Sequence, residues 1–212
     1  MHTEELIRVL GADQQVSSRS TAGWLALCLS VGFAVSAVLF WMGLGPRDDI
    51  ATAATTPRFV LKIIEMLLLA TAAAMLALRL VRPAASARSA AVAVGAAIAL
   101  LVAAAAIELV LVPSVQWSAK LVGSNSRICL TAVPLLSLPL LAGGLYALRS
   151  GAPTRPGLAG AVAGVVSGAS AASLYALHCP DDSPLFVVTW YSLAIAGITL
   201  LGWALGRHVL RW

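Results

Sequence analysis

Two cysteines define most of the chemistry open to this chain. Cys129 and Cys179 stand 50 positions apart, and each adjoins polar punctuation. Ser124-Asn125-Ser126-Arg127 precedes the first, and Pro180-Asp181-Asp182-Ser183-Pro184 follows the second. Two thiols can close a disulfide when their Cα atoms come within roughly 4.4–6.8 Å, or grip a soft metal ion as thiolates. His178, Asp181 and Asp182 lie beside Cys179 as further candidate ligands. A third reading is two unrelated cysteines at a membrane interface, and sequence spacing does not choose among the three. Cys28, between Leu27 and Leu29, reads as a small packing hydrophobe. Catalysis is not expected. The chain holds no H-E-x-x-H run, P-loop or Ser-His-Asp set. Membrane enzymes that make disulfides relay electrons between two cysteine pairs, whereas each loop here offers one. No cofactor is expected beyond a heavy-metal ion held transiently as a signal.

The elements that must position these thiols follow from composition. Of 212 residues, 60% are hydrophobic and 11% charged, less than half the charge of an average soluble domain. The fold class is therefore all-α and polytopic. A helix needs about 20 apolar residues to cross a hydrocarbon core of roughly 30 Å. Six stretches qualify, at about 22–44, 59–80, 90–112, 128–148, 158–177 and 185–205. They leave a cytoplasmic N-terminal segment over 1–21, one six-helix transmembrane domain over 22–206, and a short cytoplasmic tail over 207–212.

Orientation is read from Lys and Arg alone. With the N-terminus in the cytoplasm, nine of the 14 fall on that side: Arg8, Arg19, Arg79, Arg82, Arg88, Arg149, Arg155, Arg207 and Arg211. Both termini are expected inside, with Cys129 and Cys179 at the outer edge. The first span follows acidic Glu4, Glu5 and Asp13 instead of a basic region, and reads as an uncleaved anchor. The +5 net charge describes loops beside anionic lipid, so the expected partners include the bilayer but no nucleic acid.

Several residues within the spans carry their own expectations. Gly160, Gly164 and Gly168 form a doubled small-xxx-small repeat for close helix contact, and the alanine-rich third span suits close packing too. Pro134 and Pro139 break the hydrogen bonding of the fourth span just below Cys129, as a static kink or a flexible joint. Lys62 and Glu65, one turn apart, are expected to neutralise each other, with Arg47 offset by Asp48 and Asp49. Glu108, shallow in its span, is expected to be structural. Glu4, Glu5, Leu6, Ile7 and Leu10 make a short amphipathic helix, capped by Thr3 and ended by Gly11, that must fold on a membrane, the bundle or a partner.

Three segments together resemble the negative regulator of sigma F family. They are Glu5 to Leu10, the run from Val122 through Cys129 to Leu130, and Cys179 to Leu185 continuing to Trp190-Tyr191. The resemblance extends over the whole chain, in length and span number as well as motifs, and is most specific around Cys179. It implies a six-span bacterial inner-membrane anti-sigma factor that sequesters an extracytoplasmic-function sigma factor. It also implies release on heavy-metal or oxidative stress sensed through Cys129 and Cys179; Cys28 has no place in the motif. The sigma-binding residues do not transfer from the family. From the residues themselves, the acids Glu4 and Glu5 and the anchors Leu6, Ile7 and Leu10 are the expected contact for a basic sigma surface. Two other readings stand beside this one. A small transporter would need polar groups at mid-membrane. A packing subunit of a larger complex would use the glycine and alanine surfaces. Oligomeric state is not legible.

Overall fold

A computed structural model describes residues 5, 20–82, 85–151 and 153–211. Among these the chain is all-helical, with no strand. Six helices are long and apolar enough to cross a membrane: α1 (Thr21–Gly43), α2 (Pro57–Leu80), α3 (Arg88–Leu111), α4 (Ser126–Leu148), α5 (Pro156–Tyr175) and α6 (Pro184–Val209). This is a multi-pass membrane protein. Starts are marked by residues suited to them. Ser20 accepts from the Gly23 N–H at the head of α1, and prolines open α2, α5 and α6 where no helical donor is lost. The helix α6 continues to Val209, so Arg207 and His208, expected in a tail, occupy its last turn. Cations there complement the helix dipole.

Helix α5 is the hub, packing against α2, α4 and α6. Its glycines explain the position. A methyl group at Gly160 would run into the Gly202 carbonyl and lie 2.7 Å from the Gly206 Cα, and one at Gly164 would sit 2.6 Å from the Ile198 carbonyl. The repeat thus seats α6 backbone against α5 backbone, as its spacing predicts. The alanine-rich α3 behaves otherwise. Only 17% of its most apolar window is buried, against 72% for α5, and it packs mainly on α2. Alanine is apolar enough for lipid as well as small enough for packing, so composition alone misplaced this helix.

The prolines of α4 lie within a continuous helix. A proline at 139 disturbs the acceptor at Leu136 as well as that at Leu135. The Ser36 hydroxyl of α1, fully buried, lies 2.7 Å from the Leu136 carbonyl and is shared with Gly32 at 2.9 Å. A neighbouring helix satisfies the backbone, as the apolar surroundings require. Gly32 permits this approach, since a Cβ there would stand 2.9 Å from the Pro139 carbonyl.

One end of the bundle gathers Cys129 and Cys179, the C-terminal ends of α1, α3 and α5, and the starts of α2, α4 and α6. Between α3 and α4 a 3-10 turn (Ser114–Gln116) and a short helix (Trp117–Val122) fill what the sequence reads as a loop. Within α6, residues Val187–Tyr191 form a π-turn.

Candidate functional site

Cys129 sits in the first turn of α4, its N–H bonded to the Asn125 carbonyl at 2.8 Å. Cys179 follows the C-terminus of α5, its N–H on the Tyr175 carbonyl at 3.1 Å. Because α4 and α5 are packed neighbours, both thiols enter one apolar cluster with Tyr175, Phe186, Val187 and Tyr191. Both are free and fully buried. The Cys179 thiol donates to the Asp181 carbonyl at 3.9 Å. Burial pushes this thiol above its ordinary range, and the Lys62 ammonium partly opposes the shift.

Over the thiols lies the segment from His178 to Leu185, tied down at every polar side chain. Lys62, expected to pair with Glu65, instead reaches the lid. Its three N–H donors meet three oxygens: Asp182 Oδ1 at 2.5 Å, the Cys179 carbonyl at 3.0 Å and the Asp181 carbonyl at 3.5 Å. An ammonium buried to 1% exposure needs such a full set, which a single carboxylate one turn away does not provide. Glu65 Oε1 is left buried without a hydrogen-bond partner. Arg47 does pair with Asp49, at 2.5 Å, and holds that carboxyl below its ordinary range. It also binds Asp182 Oδ2 at 2.8 Å and the Cys179 carbonyl at 3.4 Å. Asp182 therefore joins α2 to the loop after α1.

Asp181 reaches the head of α4. Its carboxylate accepts from the N–H groups of Ser124 at 3.0 Å and Asn125 at 2.9 Å, donors that a helix start leaves open. Gly123 makes the turn possible with φ +58°, and a Cβ there would strike the Phe186 ring and Asp181. Glu108 closes the third side. It accepts from Ser183 Oγ at 2.5 Å and the Leu185 N–H at 3.1 Å, with Arg58 at 3.3 Å and Lys120 at 3.8 Å. The shallow acid serves the structure.

His178 Nδ1 lies 2.9 Å from the Gly45 carbonyl. His178, Asp181 and Asp182 thus all have protein partners, and among the described residues no three His, Cys, Asp or Glu side chains group as a metal cage. What the site offers a soft ion is the two thiols. Cys28 lies apart on α1, where a Cβ at Gly143 would come 2.6 Å from its carbonyl. Of the expected contact helix, Glu4, Leu6, Ile7 and Leu10 lie outside the described residues, while Glu5 is helical and exposed.

Sequence reasoning missed Tyr175 and named Tyr191 only within the resemblance; both are fully buried beside the thiols, with ring centroids 5.8 Å apart. The π-turn that carries Tyr191 has no sequence signature, although a lysine inside an apolar run was a legible signal for Lys62.

A family model described as "Negative regulator of sigma F" matches residues 10–212. The chain belongs to this family. Over its full length and theirs, it is 40% identical to the "Anti-sigma-F factor NrsF" of Caulobacter vibrioides (strain NA1000 / CB15N) and 34% identical to the "Probable anti-sigma-F factor NrsF" of Azospira oryzae. No solved structure matches it. In this member of the negative regulator of sigma F family, two of the three segments that carry the resemblance meet where the lid joins the head of α4, through Asp181 on Ser124 and Asn125.

Proposed function

We propose that this protein is a bacterial inner-membrane anti-sigma factor. It holds an extracytoplasmic-function sigma factor at the cytoplasmic face and releases it when heavy metal or oxidant engages Cys129 and Cys179 on the periplasmic side. The observation that carries the reading is the burial of both thiols in one cluster beneath a lid whose ion pairs reach α2 and the loop after α1. Both termini face the cytoplasm in this reading, which puts most of the arginines inside. The names of the full-length relatives supply the sigma partner.

The switch follows from differential affinity. The reduced, closed form binds the sigma factor. A disulfide or a bridging soft ion draws the head of α4 and the C-terminal end of α5 into a second arrangement, which the lid's ion pairs must accommodate. Turning a 99:1 preference for one form into the reverse takes about 5.5 kcal/mol, within reach of thiolate–metal or disulfide bonding. The sigma contact is assigned to Glu4, Glu5, Leu6, Ile7 and Leu10, whose apolar face would fill a groove of the partner. A transporter gains nothing from this arrangement, because the lid's polar side chains are occupied by one another at one end of the bundle.

The test is a reporter of sigma activity in cells carrying the full chain. Cys129→Ser or Cys179→Ser should repress permanently and ignore cadmium and oxidant, while Cys28→Ser responds normally. A Cys179→Ser protein that still released its sigma factor would remove the pair as sensor. Retained co-purification of sigma after deletion of residues 2–12 would remove the N-terminal contact.

A further inference from the structure

At the end of the bundle opposite the thiols, Arg79 in the last turn of α2 and Arg82 just beyond it face a cavity of about 450 Å³. Ser89 in the first turn of α3 joins them, and Met75 and Ala93 form its apolar wall. Among the described residues neither arginine has a carboxylate partner. The start of α3 also lacks a side-chain cap, since Ala87 stands at that position. Unclaimed positive charge and open helix donors therefore share one concave site.

A second cavity, of about 470 Å³, continues from the first between α2 and α3. It shares Met75 and Ala93 with the charged cavity and runs on past Thr71 and Ala97 to Leu68 and Leu100. The small side chains of α3 leave this groove open. From Ser89 to Leu100 the helix rises about 16 Å, roughly half the hydrocarbon core and so the depth of one leaflet. The two cavities have the shape of one amphiphile, with an anionic head at the arginines and an acyl chain along the alanines.

We infer that Arg79, Arg82, Ser89 and the α2–α3 groove form a binding site for one anionic phospholipid. Two guanidinium groups without counter-charge match a phosphate by forked hydrogen bonds, which a zwitterionic headgroup satisfies less well. Their place at the very end of the apolar stretch is where basic residues meet anionic headgroups. A free phosphate would fill the head cavity and leave the groove empty. The chain's own acids Glu4, Glu5 and Asp13 are the competing counter-charge, but in the function proposed above that segment is taken by the sigma factor.

The full chain, purified in mild detergent, is tested by native mass spectrometry with added phosphatidylglycerol, phosphatidylcholine or inorganic phosphate. Phosphatidylglycerol should be retained, and Arg79→Gln with Arg82→Gln should cut that retention about tenfold. Arg149→Gln with Arg155→Gln removes the same charge elsewhere and should leave it unchanged. Ala97→Phe fills the groove with the arginines intact and should also displace the lipid, which decides the matter if the double arginine variant fails to fold. Equal retention by the Arg79/Arg82 variant and the parent would overturn the site. Full competition by inorganic phosphate, with Ala97→Phe inert, would reduce it to a phosphate site. Retention that appears only after deletion of residues 2–12 would make the acidic segment its occupant instead.

Discussion

At the cysteine end, groups 56 to 135 residues apart in sequence tie the loop after α1, α2, α3 and the head of α4 to one short segment. At the arginine end, no described arginine pairs with a carboxylate, and α5 meets α6 through bare glycine backbone. Every described acid except Glu5 lies in the cysteine half of the chain's helices and loops. The contrast separates two ways of fixing a membrane bundle. Buried ion pairs specify one arrangement and resist partial change, because a lone charge left in apolar surroundings is costly. Glycine contacts hold helices by proximity alone and carry no charge pattern, so the cationic end is free to meet lipid or protein. A signal that rearranges the first end need break only a few named bonds.

The contrast breaks most visibly at Asp182. Asp182→Asn strips the carboxylate from a lysine of 1% exposure and should cost about 3–5 kcal/mol, read as a large fall in thermal midpoint in detergent. A midpoint close to the parent's would mean that the lid is not what holds this end. At the other end Gly202→Ala drives a methyl into the Gly160 carbonyl and should cost about 1–3 kcal/mol by the same assay. Between the ends, Ser36→Ala removes the donor to Leu136 and should cost about 1 kcal/mol, with faster amide exchange around Pro139 as its local sign. The smallest change is Arg149→Gln, expected within about 0.5 kcal/mol of the parent, since the arginine end draws no stability from paired charge. A loss comparable to that of Asp182→Asn would erase the distinction.

Local signals made much of this legible. Apolar runs and their punctuation show six helices, the short turn after Arg149 makes α4 and α5 neighbours, and the glycine repeat marks a packed face. The partners of Lys62 were not legible, because a pairing across 120 positions competes with a nearer acid that satisfies the same charge rule. Nor was the exposed position of α3, since lipid and protein reward alanine alike. Asp181 and Asp182 read as candidate ligands because sequence reports which oxygens exist and not which donors have already taken them.

The π-turn at Val187–Tyr191 sets a phase. A turn of this kind carries one residue more than its α-helical equivalent, and one residue is about 100° of helical rotation. Residues Pro184–Phe186 therefore point about 100° away from where a wheel drawn back from α6 would put them. Deleting one residue from the turn would leave the remaining helix intact while swinging Phe186 and the whole lid around its circumference. The length of this turn, counted in single residues, sets the angle at which the lid meets the thiols.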